Sequence, residues 1–146
     1  MRTIRLIMAA LLVGLSPAAR AQSGEIVVHG VAAKVEIERI LDADNLNTGS
    51  LGSRFVADTI AGISRGRAPA DFWYAYQAHV RAWQRLAAAE DQAARALEDV
   101  PSSADSARLV VDAEQQIETT FDEVERIALN YGARMPVPLQ EIVPTT

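Results

Sequence analysis

The chain of 146 residues contains no cysteine and only two histidines. Without a thiol the protein can form no disulfide, carry no lipid-modified cysteine and use no cysteine nucleophile. The sequence also lacks a G-x-S-x-G nucleophile elbow, an H-E-x-x-H zinc motif and a glycine-rich phosphate loop. We therefore expect a protein that is not an enzyme and that binds no standard cofactor.

A hydrophobic run long enough to span a bilayer, about 20 residues, is also missing. An apolar stretch of ten residues, 6–15, follows a basic start at 1–5 and precedes the sequence Ala19-Arg20-Ala21. This order is typical of a secretory signal peptide with an A-x-A cleavage site. The sequence predicts cleavage of residues 1–21 and a mature chain that begins at Gln22. We expect this chain to lie in the periplasm or to be secreted, and not to be embedded in a membrane.

Basic residues are few in the mature chain. Once the three arginines of the signal are removed, eleven bases and nineteen acids give a net charge of −8 over 125 residues. Nucleic acids and anionic lipids bind basic patches, so neither is an expected partner. Nine of the acids and a single arginine fall between Glu98 and Glu125, and we interpret this run as a solvated face.

The mature chain has the length of a single domain, and helical patterns dominate it. Asn and Gly are concentrated in one short internal stretch, which predicts a loop between two helices. The sequence predicts an extended segment at 22–30, a helical bundle domain at 31–132 and a Pro-rich extended tail at 133–146. Within the bundle domain, helices are predicted at 31–44 and 53–64, with the loop at 45–53 between them.

One stretch near the mature N-terminus resembles a known sequence. EIVVHG, residues 25–30, is similar to the EIVVTG-type stretch near the N-termini of some TonB-dependent outer-membrane receptors, and it departs from that stretch at His29. The likeness covers six residues, and the chain is far too short to form such a barrel. It implies no more than strand addition to a periplasmic partner protein.

The clearest pattern is a pair of long helices joined by a short turn. The first is predicted over residues 69–99 and ends before Pro101; the second follows a cap at Ser102, runs to Tyr131 and is terminated by Gly132. Apolar residues recur at alternating three- and four-residue spacing in both helices, as in paired helices. The sequence therefore predicts an all-α fold, a three- to four-helix bundle built on a long antiparallel helical hairpin with extended N- and C-terminal tails.

A turn centred near Ser102 sets the predicted register of this hairpin, and it brings Glu90 opposite Glu114 in an otherwise apolar layer. Carboxylates that project inward from facing helices are the framework of metal-carboxylate bundles. Two alternatives compete with a metal site. An arginine, Arg39 or Arg54, can neutralise the pair, or the drift of about 20° per heptad between a straight helix and a strict heptad can turn both carboxylates toward water.

Aromatic residues are concentrated at the open end of the predicted hairpin. Core packing is the first interpretation, because most of these positions lie on the predicted seam. The alternative is a ligand-binding pocket in which a histidine and the tyrosine hydroxyls supply the polar groups. The residues concerned are Trp73, Tyr76, His79, Trp83, Phe121 and Tyr131.

The stretch DADNLNTG, residues 42–49, has the acidic character of a calcium loop. An EF-hand needs oxygen ligands at positions 1, 3 and 5, Gly at 6 and Glu at 12, and a start at either Asp42 or Asp44 fails this pattern. We interpret the stretch as a helix C-cap and turn.

These features together predict an exported small helical-bundle protein that binds a partner protein or a small apolar ligand without catalysis. The alternative is a metal- or cofactor-binding bundle that uses Glu90 and Glu114.

Overall fold

A computed structural model describes the backbone of residues 18–96 and 103–139, and the side chains of 30–95 and 104–139. Within these residues the secondary structure is helical and no strand occurs, which confirms the predicted all-α class. The helices are α1 (Ala18–Asp44), α2 (Ser53–Ala61), α3 (Ala70–Ala96) and α4 (Ser103–Asn130).

Local sequence signals set the ends of the two long helices. At the start of α3, the carbonyl oxygen of Pro69 accepts the first helical hydrogen bond from the amide of Trp73. At the end of α4, Gly132 adopts a left-handed φ of 68°. The amides of Gly132 and Ala133 donate to the carbonyl oxygens of Leu129 and Ala128 at 2.9 and 3.1 Å, which is a Schellman cap. The predicted terminator is therefore confirmed.

The core lies at the end of the α3–α4 hairpin that is remote from its connection. Each helix contributes an apolar face to it, and burial of an aliphatic or aromatic side chain contributes roughly 1.5–3 kcal/mol to stability. Its largest members are Ile37, Ile40 and Leu41 from α1, Val56 and Ile60 from α2, Phe72, Tyr76 and Val80 from α3, and Val124 and Ile127 from α4.

The register of the hairpin differs from the predicted one by about one helical turn. His79 contacts Thr120 and Phe121, whereas a turn centred near Ser102 would place it opposite residue 125. The contacts of His79 with Thr120 and Phe121 and of Arg85 with Gln116 are centred nearer residue 100. The centre of the hairpin predicted near Ser102 was therefore about two residues too close to the C-terminus.

Residues 22–30 also differ from the prediction, because they lie within α1 rather than in an extended segment. The valine run and two glycines of this stretch have low helix propensity. Extending an existing helix, however, adds one hydrogen bond for each residue that is fixed and requires no new nucleus. Cleavage after Ala21, which stays a prediction, would fall inside this helix.

The tail beyond α4 has no regular structure over residues 133–138, in agreement with its prolines, but it folds back on the bundle. The amide of Arg134 donates to Oε1 of Glu38 at 2.9 Å, and Nδ2 of Asn45 donates to the carbonyl oxygen of Val137 at 2.9 Å. Met135 packs against the core. The predicted tail residues 140–146 lie outside the described residues.

None of the described helices combines the length and the apolar character needed to cross a membrane.

The Schellman cap gives a test of the fold. We expect Gly132→Ala to reduce the free energy of unfolding by about 1–2 kcal/mol, because a Cβ is disfavoured at a left-handed φ. No heavy atom lies within 4 Å of the added methyl group, so the backbone conformation alone causes this loss. Thermal unfolding followed by circular dichroism measures it.

Gly30→Ala is the matched control. Gly30 lies inside α1 with no positive φ, and its added methyl group also meets nothing within 4 Å. We expect a gain of about 0.5–1 kcal/mol, since alanine is the better helix former. Equal effects of the two substitutions would contradict the described end of α4.

Candidate functional site

A cavity of about 530 Å³ opens beside the core, between the end of α1, the loop after it, α2, the hairpin and the tail. Most of the lining is apolar, and it includes two aromatic side chains, Trp83 of α3 and Phe121 of α4. The other apolar lining residues are Leu41, Leu46, Val56, Ile117, Met135, Pro136 and Pro138. The polar ones are Asp44, Asn45, Thr48, His79, Glu118 and Glu125.

The carboxylate of Asp44 is the most unusual group in this lining. Asp44 is the last residue of α1, and only 7% of its side chain is exposed. Burial raises the pKa of Asp44 to about 6, and hydrogen bonding from the Tyr76 hydroxyl lowers it only in part. A negative charge at the C-terminal end of a helix is also unfavourable to the helix dipole. An ionised Asp44 therefore lowers the stability of the fold at this position.

Tyr76 belongs to the core next to the cavity and is fully buried. Its hydroxyl can donate to Asp44 or to the carbonyl oxygen of Ile60, which lies 3.4 Å away. Burial, and then the neighbouring charge of Asp44, raise the pKa of Tyr76 above its ordinary value, so the hydroxyl stays protonated. The neutral Tyr76 hydroxyl is thus a hydrogen-bond donor available to the Asp44 carboxylate.

His79 is held in one tautomer by its neighbours. The indole Nε1 of Trp83 donates to Nε2 of His79 at 3.1 Å, so we assign the ring proton to Nδ1, which lies 3.2 Å from Oγ1 of Thr120. The Thr120 hydroxyl is free to accept, because it donates to the carbonyl oxygen of Gln116. Burial lowers the pKa of His79 to about 4, although a hydrogen bond with the backbone of Ile117 opposes this shift. The ring is therefore neutral at pH 7.

Asp44 consequently has no cationic partner among the described residues that line the cavity. Its Oδ2 lies 3.9 Å from Nε2 of His79, a distance that would form an ion pair only with a protonated ring. No lysine or arginine is part of the described lining, and the two other acids, Glu118 and Glu125, add negative charge. At neutral pH the cavity is an apolar space with a negative potential.

Three of the six aromatic and histidine residues predicted as a pocket come together in this lining: His79, Trp83 and Phe121. The ring centroids of His79 and Phe121 are 5.2 Å apart. Tyr76 does not line the cavity, but its hydroxyl can donate to Asp44, which does.

The remaining two predicted residues lie elsewhere. Trp73 packs on the far side of Tyr76, with ring centroids 5.5 Å apart. The hydroxyl of Tyr131 donates to the carboxylate of Asp71 at 3.1 Å, at the open end of the hairpin. Neither side chain belongs to the cavity lining.

The two glutamates predicted as inward-facing are both exposed. The Glu90 carboxylate accepts a hydrogen bond from the hydroxyl of Ser53, the buried first residue of α2. Arg54, one of the two arginines considered as a partner, instead pairs with Asp91. Among the described residues no group of three histidine, cysteine or acidic side chains is placed to hold a metal ion. The exposure of Glu90 and Glu114 agrees with the rotation of a straight helix away from a strict heptad seam.

Sequence reasoning missed Asp44 and the tail. Asp44 continues the buried face of α1, since it comes after Ile37, Ile40 and Leu41 at helical spacing. An acid in that position, at the negative end of a helix, is a signal that the sequence contains. The contribution of Met135, Pro136 and Pro138 depends on contacts across more than ninety residues, as between Asn45 and Val137, and no local pattern indicates it.

Comparison with known proteins finds no relative: no family model, no curated protein and no solved structure matches the chain. The chemistry of the cavity is therefore the basis on which a function can be inferred.

The opposite pKa shifts of Asp44 and His79 give a test of their burial. Asp44 has a folded pKa of about 6 against 3.8, so the folded state binds more protons between these values and stability falls as pH rises through this window. His79 has a folded pKa of about 4 against 6.5, so the unfolded state binds more protons and stability falls as pH decreases from 6.5 to 4. The two effects oppose each other between pH 4 and 6.

We expect Asp44→Asn to raise the unfolding free energy at pH 7 by about 1–3 kcal/mol, since one pKa unit corresponds to about 1.4 kcal/mol. In this variant stability should fall as pH is lowered from 6.5 to 4, because only His79 remains. His79→Gln should show the opposite slope over pH 4 to 6. Melting temperatures measured across this range check both signs, and parallel profiles for the two variants would contradict the described burial.

Proposed function

We propose that this protein binds a small apolar ligand in the cavity beside Asp44, without catalysing a reaction. The observation that carries the proposal is the cavity itself: about 530 Å³, walled mainly by aliphatic and aromatic side chains, with a few converging polar groups. Small-molecule sites in proteins have this size and this composition.

The hydrogen bonding of His79 supports binding rather than catalysis. A general base must present a free nitrogen to its substrate. In His79, Nε2 accepts from Trp83 and Nδ1 faces Thr120, so both nitrogens are already engaged. The same bonds fix the Trp83 ring in the wall of the cavity, which is useful for a preformed binding site.

Nile red, an uncharged dye whose fluorescence increases in apolar surroundings, tests this function. We expect the wild-type protein to bind it and Leu46→Trp to weaken the binding at least about tenfold, because the larger ring fills the cavity that Leu46 lines. Fluorescence titration gives both dissociation constants.

Leu109→Trp is the control, since Leu109 is an exposed residue of α4 outside the cavity lining. We expect it to bind the dye as the wild type does. Equal binding by the wild type and by Leu46→Trp would show that the dye binds elsewhere, and the proposed function would then be wrong.

We also propose that the protein is exported and acts in the periplasm or outside the cell. The support is the basic start, the apolar stretch at 6–15 and the Ala19-Arg20-Ala21 site. Intact-mass measurement of the protein expressed with its full sequence in a bacterial host should give a chain that begins at Gln22. Ala21→Asp should abolish this cleavage, because the site requires a small uncharged residue. A full-length wild-type chain in the cytoplasm would contradict export.

A further inference from the structure

The charge distribution of the cavity restricts the chemistry of its ligand. The charge on Asp44 lies in a largely apolar lining, and a buried charge is normally paired. Its nearest titratable neighbours, His79 and Tyr76, are neutral at pH 7 and cannot balance it. A partner of opposite charge is therefore missing from the described lining.

The described residues around the cavity do not supply that partner. Among the described residues, the base whose charge acts on Tyr76 is Arg39 of α1, and it is held by Glu36 and by the carbonyl oxygen of Ser64. The sequence that follows the tail, 140–146, contains one acid and no base.

We propose that the ligand is an organic cation, a protonated amine attached to an apolar body, and that the Asp44 carboxylate is its counter-ion. This inference rests on the proposed function and specifies its ligand class. The ammonium group meets Asp44 at the end of α1, while the apolar body lies against Leu46, Phe121 and the tail. Trp83 and Phe121 favour the same charge, because aromatic rings attract cations.

A metal ion fits this site less well than an amine. A bound metal needs several ligands, whereas the walls here are mainly apolar and Nε2 of His79 already accepts from Trp83. One carboxylate beside an apolar space matches a monovalent head group with a hydrocarbon body. An anionic ligand, such as a fatty acid, would meet like charges at Asp44, Glu118 and Glu125.

Competition against Nile red with three octyl compounds tests the proposal, since octylammonium, octanol and octanoate share one apolar chain and differ in charge. At pH 8, where Asp44 is ionised, octylammonium should displace the dye at a concentration roughly tenfold or more below that of octanol. Octanoate should be the weakest competitor. Octanol or octanoate competing as well as octylammonium would overturn the assignment.

Asp44→Asn is the decisive variant because it is isosteric and removes the charge. It should lower the affinity for octylammonium roughly tenfold and leave the affinity for octanol unchanged. Glu118→Gln is the matched control: it removes one charge from an exposed residue of the same lining, and its effect should be below about threefold. If Glu118→Gln lost as much affinity for octylammonium as Asp44→Asn, the effect would come from the overall negative charge of the lining and not from Asp44.

The wild-type protein offers a second measurement that requires no substitution. As pH falls from 8 to 5, Asp44 takes up a proton, while octylammonium stays charged and His79 stays neutral. The affinity for octylammonium should therefore fall several-fold, and that for octanol should not change. The same pH series on Glu118→Gln and Glu125→Gln identifies any contribution of the other two lining acids.

The failures of the two proposals are distinguishable. If Nile red binds, is displaced by octanol, and shows no preference for octylammonium, the ligand class is wrong and the apolar site stands. If the dye binds equally to the wild type and to Leu46→Trp, the site itself is wrong.

Discussion

The last two turns of α1 pack against the hairpin, and this contact places both the core and the cavity. Ile37, Ile40 and Leu41 are fully or almost fully buried and join the core of α2, α3 and α4. Because residues three and four apart share one helical face, burying these side chains necessarily brings Asp44 into the same environment. The apolar contacts outweigh the cost of burying one carboxylate, since each contributes roughly 1.5–3 kcal/mol. The candidate site is thus a by-product of the packing that stabilises the fold.

The polar groups around Asp44 show how the fold accommodates this cost. The Tyr76 hydroxyl can donate to Asp44 or to the carbonyl oxygen of Ile60, and His79 is kept neutral between Trp83 and Thr120. A protonated His79 would neutralise Asp44 at 3.9 Å, but the Trp83 indole occupies the nitrogen that would carry the proton. The negative charge is therefore left facing the cavity, where a ligand can use it.

Local features of the fold could be predicted from the sequence, and features that depend on distant contacts could not. Pro69, Gly132 and the apolar spacing of α3 and α4 predicted the hairpin, because capping and helical periodicity act within a few residues. Its register was wrong by one turn, since apolar residues recur at three- and four-residue spacing, about once per turn, and so allow alignments one turn apart. Three cavity residues, His79, Trp83 and Phe121, were found as an aromatic cluster. Asp44 was interpreted as part of a turn, because its burial depends on how α1 packs.

The tail supplies one wall of the cavity from outside the four helices. Residues 133–139 are held by the amide of Arg134 on Glu38, by Asn45 on Val137 and by the packing of Met135. Each of these hydrogen bonds contributes about 1 kcal/mol net, so the wall is held by fewer contacts than the helices that form the core. A substitution at Glu38 or Asn45 would therefore remove a contact of this wall while leaving the apolar contacts of the core in place.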